Sequence, residues 1–135
     1  MKKFFSILII SLLICETGFT KILILHCSDV KLVGFDGKSQ YSVKDYRPLK
    51  FQLKIDMDEK KISSNNIGGF DYPDSVKCNF WKAFKEYDPM LECMSTGYYI
   101  AINLFSFKYT RSRGYGYAFG KEDDIGTGYG VCKEI

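Results

Sequence analysis

From Leu49 to Asp58, apolar and polar residues change places at every step. Leu49, Phe51, Leu53, Ile55 and Met57 alternate with Lys50, Gln52, Lys54, Asp56 and Asp58. A strand sends successive side chains to opposite faces, so this stretch has one apolar face and one charged face. On a helix the same residues would scatter around the circumference. The pattern predicts a half-buried strand of an antiparallel sheet.

The N-terminus constrains the compartment. Met1-Lys2-Lys3 precedes an almost wholly apolar run from Phe4 to Cys15. A cationic start followed by about a dozen apolar residues has the form of a secretory signal peptide, and it is short of the ~20 residues that a membrane helix needs. Gly18-Phe19-Thr20 offers small residues for cleavage before Lys21, and Cys15-Glu16-Thr17 is a second site. Leu12-Leu13-Ile14-Cys15 resembles a loose bacterial lipobox; acylation there would tether the chain to a membrane surface. The expected organisation is a signal peptide over residues 1–20 and a single domain over 21–135.

Without Cys15, four cysteines remain: Cys27, Cys78, Cys93 and Cys132. An even number in an exported chain reads as disulfides. Four cysteines allow three pairings; we expect Cys78–Cys93 as a local loop and Cys27–Cys132 as a clasp between the two ends. A zinc site is not expected, because no pair has C-x-x-C spacing and His26 is the sole histidine. Removing Lys2, Lys3 and Glu16 from a net charge of +3 leaves +2, too mild to imply a nucleic acid or an anionic membrane as partner.

Along the chain, Ile22–Leu25 and Val30–Val33 suggest one bent first strand. Asp36-Gly37 is a hairpin signal, since glycine accepts positive φ. Asp58-Glu59-Lys60-Lys61 is a charged turn. Val76, Phe80, Ala83, Phe84 and Tyr87 fall at helical spacing, although Val76, Cys78 and Phe80 also alternate as a strand. Thr96–Arg111 is the longest apolar run after the leader and reads as one central strand, with Arg111–Gly114 turning the chain. Tyr115, Tyr117 and Phe119 then alternate with glycine and alanine, and Ile125, Thr127, Tyr129 and Val131 alternate with Gly126, Gly128 and Gly130. This predicts a C-terminal hairpin with one nearly bare face, suited to sharp coiling, to close approach of another backbone, or to a ligand lying flat. An aromatic share of 16% fits a β-rich core. The expected fold is all-β, a small disulfide-stapled antiparallel barrel or sandwich of about six to eight strands, with room for one short helix over Asp74–Tyr87.

Chemistry is harder to read. Arg113-Gly114-Tyr115-Gly116-Tyr117 resembles the opening of the RNP1 signature of the RNA-recognition motif, but Ala118 and Gly120 break the pattern and no RNP2-like first strand precedes it. No nucleic-acid partner is expected. Tyr109, Arg111, Arg113, Tyr115, Tyr117 and Tyr129 are the candidate ligand-binding residues, because tyrosine joins an apolar face to a polar tip beside guanidinium donors. Asp56–Glu59 and Glu122–Asp124 lack calcium-loop spacing. His26 beside Cys27 defines no nucleophile–base pair. No catalytic residue and no cofactor is assigned. The expected function is a small secreted or periplasmic, non-catalytic binding module for a small molecule, glycan or protein. The alternatives are a small hydrolase using carboxylates, or an envelope lipoprotein acylated at Cys15. An outer-membrane barrel is disfavoured by the charges along Leu49–Asp58.

Overall fold

The alternation through Leu49–Asp58 folds as its period demands. In the computed structural model, which describes residues 21–65, 75–82, 86–114, 120 and 122–135, Lys50–Asp56 is strand β3. Phe51, Leu53 and Ile55 are buried, and Lys50 and Lys54 are exposed. Eight further strands are described: β1 (Ile22–Asp36), β2 (Ser42–Asp45), β4 (Lys61–Asn65), β5 (Val76–Trp81), β6 (Met90–Ser95), β7 (Tyr98–Asn103), β8 (Lys108–Arg113) and β9 (Ile125–Glu134). From β3 to β9 each strand pairs antiparallel with the next, and β9 pairs with β1 to close an eight-stranded barrel; β2 is an extra strand beside the far half of β1. The core is Leu25, Leu53, Ile55, Ile62, Leu91, Ile100 and Ile102, all essentially without solvent contact, and it fills the barrel. Burial of these side chains is the main favourable term, at roughly 1.5–3 kcal/mol each.

Strand β1 carries the closure. Its first half, Ile22–Ser28, pairs with β3, and Val33–Asp36 pairs with β2. Its other edge runs along β9 with a bulge at Val30, between the pairs Asp29↔Gly130 and Lys31↔Tyr129. The extra residue bends the strand as expected of a bulge. Both expected disulfides form across directly opposed residues: Cys27–Cys132 joins β1 to β9, and Cys78–Cys93 joins β5 to β6. On the chain-entropy account each stabilises by ~3–5 kcal/mol, the longer loop more. Two such bonds suit a non-reducing, extracytoplasmic environment. Among the described residues β5 meets β4 through two residue pairs, Lys61↔Lys77 and Ile62↔Val76, and the second disulfide ties β5 to its other neighbour, β6.

Four expectations need correction. Val76–Trp81 is a strand rather than the start of a helix: period two turns Cys78 inward to face Cys93 and leaves Lys77 and Asn79 outside. Ala83 and Phe84 lie outside the described residues. The run Thr96–Arg111 is two strands, β7 and β8, with a turn between them. Asn103 makes that turn without glycine or proline, its Oδ1 accepting from the amides of Phe105 (2.8 Å) and Ser106 (2.8 Å), while Phe107 takes a φ of 54°. Arg111–Arg113 continues β8 instead of turning, and β9 pairs with β8 and β1; Tyr115–Phe119 lies outside the described residues. At the first hairpin the positive φ falls on Gln40 (52°) and Tyr41 (58°), after a single 3-10 turn at Gly37–Ser39. Gly37 is small for another reason: a Cβ there would strike the Glu122 carbonyl.

The bare face of β9 points into the barrel. Gly130, Gly128 and Gly126 stand directly opposite Tyr109, Arg111 and Arg113, the inward residues of β8. A Cβ on Gly130 would collide with the Ser28 carbonyl oxygen and the Tyr109 hydroxyl, whereas one on Gly126 would find only the Val33 carbonyl oxygen at 3.5 Å, an ordinary contact. Gly130→Ala is therefore expected to cost about 2–3 kcal/mol through overpacking. Gly126→Ala is expected to stay within about 1 kcal/mol of the parent, or to stabilise through the unfolded chain. Urea unfolding of the two variants separates these outcomes; equal losses would contradict this packing.

Candidate functional site

Strand β8 lays Tyr109, Arg111 and Arg113 in one line from the core towards one barrel mouth. Across from them Asp29 of β1 is a carboxylate on the inward face that Leu25 and Cys27 begin. Its side chain is 0% exposed and that of Arg111 is 9% exposed. Asp29 Oδ1 accepts from Tyr109 Oη (2.8 Å) and Arg111 Nε (3.0 Å), and Oδ2 accepts from Arg111 Nη2 (2.6 Å) and the Leu49 amide (2.9 Å). The Asp29 amide in turn donates to the Leu49 carbonyl (2.9 Å). One carboxylate thus ties together β1, β8 and the entry to β3. The Phe51 ring packs edge-on against Tyr109 at 5.4 Å between centroids and lies under the Arg111 guanidinium at 5.6 Å.

The electrostatics follow from this geometry. Burial alone would raise the Asp29 pKa, but the hydrogen bonds from Arg111, the Leu49 amide and Tyr109, with the Arg111 charge, more than offset it and hold the carboxyl below its ordinary value. Tyr109 is pushed far up, first by burial and then by its bond to the Asp29 carboxylate. Asp29 is therefore a fixed anion and Tyr109 a fixed neutral donor across the physiological range.

Beyond this pair the barrel stops being filled. A cavity of about 300 Å³ opens between the β8–β9 wall and the segment from β2 to β3. Arg111 borders it from the core side, Leu32, Leu49 and Tyr98 give it apolar walls, and Arg47 and Arg113 stand at its border. Arg113 stacks on Tyr98 at 5.6 Å and reaches Asp123 at 3.8 Å. Tyr46 contributes a buried hydroxyl that makes no hydrogen bond among the described residues. Its pKa is raised, by burial first and then by the charge and proximity of the Asp124 carboxylate, which stands near the hydroxyl without a hydrogen bond of ordinary geometry. Asp124 itself accepts from the Gly37 amide at 3.0 Å.

The structure brings together only part of the candidate set. Arg111 and Arg113 border this cavity, and Tyr109 lies beneath it in the buried network. Tyr129 faces outward, beside an open outer groove of about 730 Å³ that Val30, Val131 and also Tyr109 line. Tyr115 and Tyr117 lie outside the described residues. His26 is exposed on the outer side of β1. Sequence reasoning missed Asp29, Tyr46, Arg47 and Asp124. A signal for Asp29 existed: it continues the inward series Leu25, Cys27, and an acid at such a position requires a buried cation. The acidic turns serve the backbone, with Asp56 Oδ1 accepting from the amides of Asp58 (3.1 Å) and Glu59 (2.9 Å). Among the described residues no three His, Cys, Asp or Glu side chains gather as metal ligands would.

The fold and site define a small disulfide-stapled β-barrel with a polar mouth. Comparison with protein-family models, curated proteins and solved structures finds no match to this chain.

Removing one partner of a buried pair strands the other, which costs about 3–5 kcal/mol. Asp29→Asn is expected to lose that much in urea unfolding at neutral pH, whereas the joint change Asp29→Leu with Arg111→Met is expected to recover most of it. Because folding lowers the Asp29 pKa, its contribution is present above the unfolded value of ~3.9 and fades as pH falls through the folded one. The gap between parent and Asp29→Asn should therefore narrow in acid. A loss under about 1 kcal/mol at neutral pH would contradict a buried, paired carboxylate.

Proposed function

We propose that this protein is a secreted or periplasmic, non-catalytic binding module that takes its ligand at the barrel mouth. The observation that carries the proposal is the change of character along the barrel axis. The interior is packed solid with apolar side chains up to Tyr109, and then gives way to a cavity with apolar walls and convergent polar groups. Such a combination is the usual make-up of a small-molecule site.

Two further points support this reading. The leader-like start, Met1 to Thr20, and the paired cysteines agree on export. Acid–base chemistry would need a carboxyl group that can take and give a proton near neutrality. Asp29 is clamped as an anion by four hydrogen bonds, and Asp124 has one oxygen engaged by the Gly37 amide. That makes a carboxylate hydrolase at this mouth the poorer account. The apolar interior and the exposed Lys50 and Lys54 on the outer face of β3 are the reverse of an outer-membrane barrel, which is apolar outside.

A fragment screen on ¹⁵N-labelled exported protein tests the proposal. Fragments that bind should move the amide signals of Arg47, Arg113 and Gly126 and leave those of Val30, Tyr129 and Val131 in place. Shifts confined to the outer groove, or no shifts at all, would overturn it.

A further inference from the structure

We infer that the mouth accepts a small organic anion, a carboxylate or kindred oxyanion on a flat apolar body, with the anionic group received by Arg111, Arg113 and Tyr46. The inference rests on the binding-module reading and adds the chemical class of the ligand.

The asymmetry of the buried pair is the starting point. Arg111 gives Nε and Nη2 to Asp29, which leaves Nη1 outside the pair. The side chain is nine-tenths buried and borders the cavity, so a ligand in the cavity reaches the guanidinium from the side away from Asp29. Guanidinium presents a planar fork of N–H groups, and a carboxylate fits such donors better than a neutral acceptor does. The second observation is independent. Tyr46 comes from the loop between β2 and β3, on the opposite wall, and its buried hydroxyl lies near the Asp124 carboxylate without a hydrogen bond of ordinary geometry to it. With its pKa raised, the phenol keeps its proton and remains a donor.

Arg113 adds a third donor, two residues along β8 and on the same face as Arg111. Its contact with Asp123 is long, at 3.8 Å, and both side chains are nearly half exposed, so a ligand can displace it at little cost. Asp124 is the acid that borders the cavity. It already accepts from the Gly37 amide, and Lys44 feels its charge, which lessens its repulsion of an incoming anion. Leu32, Leu49 and Tyr98 provide apolar surface for the ligand body.

Calorimetric titration of the exported protein with benzoate, benzamide and benzamidinium tests this, since the three share shape and differ in charge. Benzoate should bind saturably and about tenfold or more tighter than benzamide, the margin expected of a charge-assisted bond. Tyr46→Phe and Arg113→Gln, each checked for an unchanged circular dichroism spectrum, should each weaken benzoate about fivefold or more. Benzamide binding as well as benzoate, benzamidinium binding tighter, no benzoate binding, or benzoate affinity untouched by both variants would overturn the inference. If benzamide or benzamidinium binds as tightly as benzoate or tighter and shifts the amide signals of the mouth, the anion assignment falls while mouth binding stands.

Discussion

The contact between Asp29 and Arg111 sets the boundary on which this structure turns. On one side of it the barrel is dry and filled by aliphatic side chains; on the other it opens to water. A charge pair at that position is costly to desolvate and is held only because every oxygen of the carboxylate is met. The same carboxylate fixes the point where β1 changes partner. Its backbone and side chain both bond to Leu49, at the entry to β3. The bulge at Val30 follows at once and lets β1 go on to pair with β2. One side chain thus joins strand topology, closure and the floor of the mouth.

Closure depends on an exchange of volume between neighbouring strands. The inward residues of β8 are large and those of β9 are glycines, in register, so each bulky group occupies room that its cross-strand neighbour leaves empty. With Leu side chains in place of these glycines the arginine and tyrosine would have no space, and β1 could not approach β9 so closely. The Cys27–Cys132 bond secures the same seam at its other end.

Much of this was legible in the residues. Period-two alternation in Leu49–Asp58 and in Ile125–Val131 identified strands that the structure contains, and cysteine parity with a leader-like start led to both disulfides. What was not legible depends on pairing in three dimensions. The turn at Asn103 is built by one side-chain amide, so no glycine or proline marks it. The alternation of Gly126, Gly128 and Gly130 was plain, but which face it served depends on β8 lying opposite, and that register is not a local property. Of the candidate residues, Arg111 and Arg113, named for their proximity to tyrosines, border the cavity. Asp29 and Tyr46 escaped because each looks ordinary until its distant neighbours are known.

The functional account inherits this dependence: a mouth with donors to offer exists only if the charge beneath it is permanent and already matched. The most direct measurement follows the side-chain carboxyl carbon of Asp29 by NMR through an acid titration of the folded protein. The account predicts a midpoint below the ordinary aspartate value of 3.8. A midpoint at or above that value would mean that burial prevails over the hydrogen bonds, and the floor of the site would not be the ion pair described.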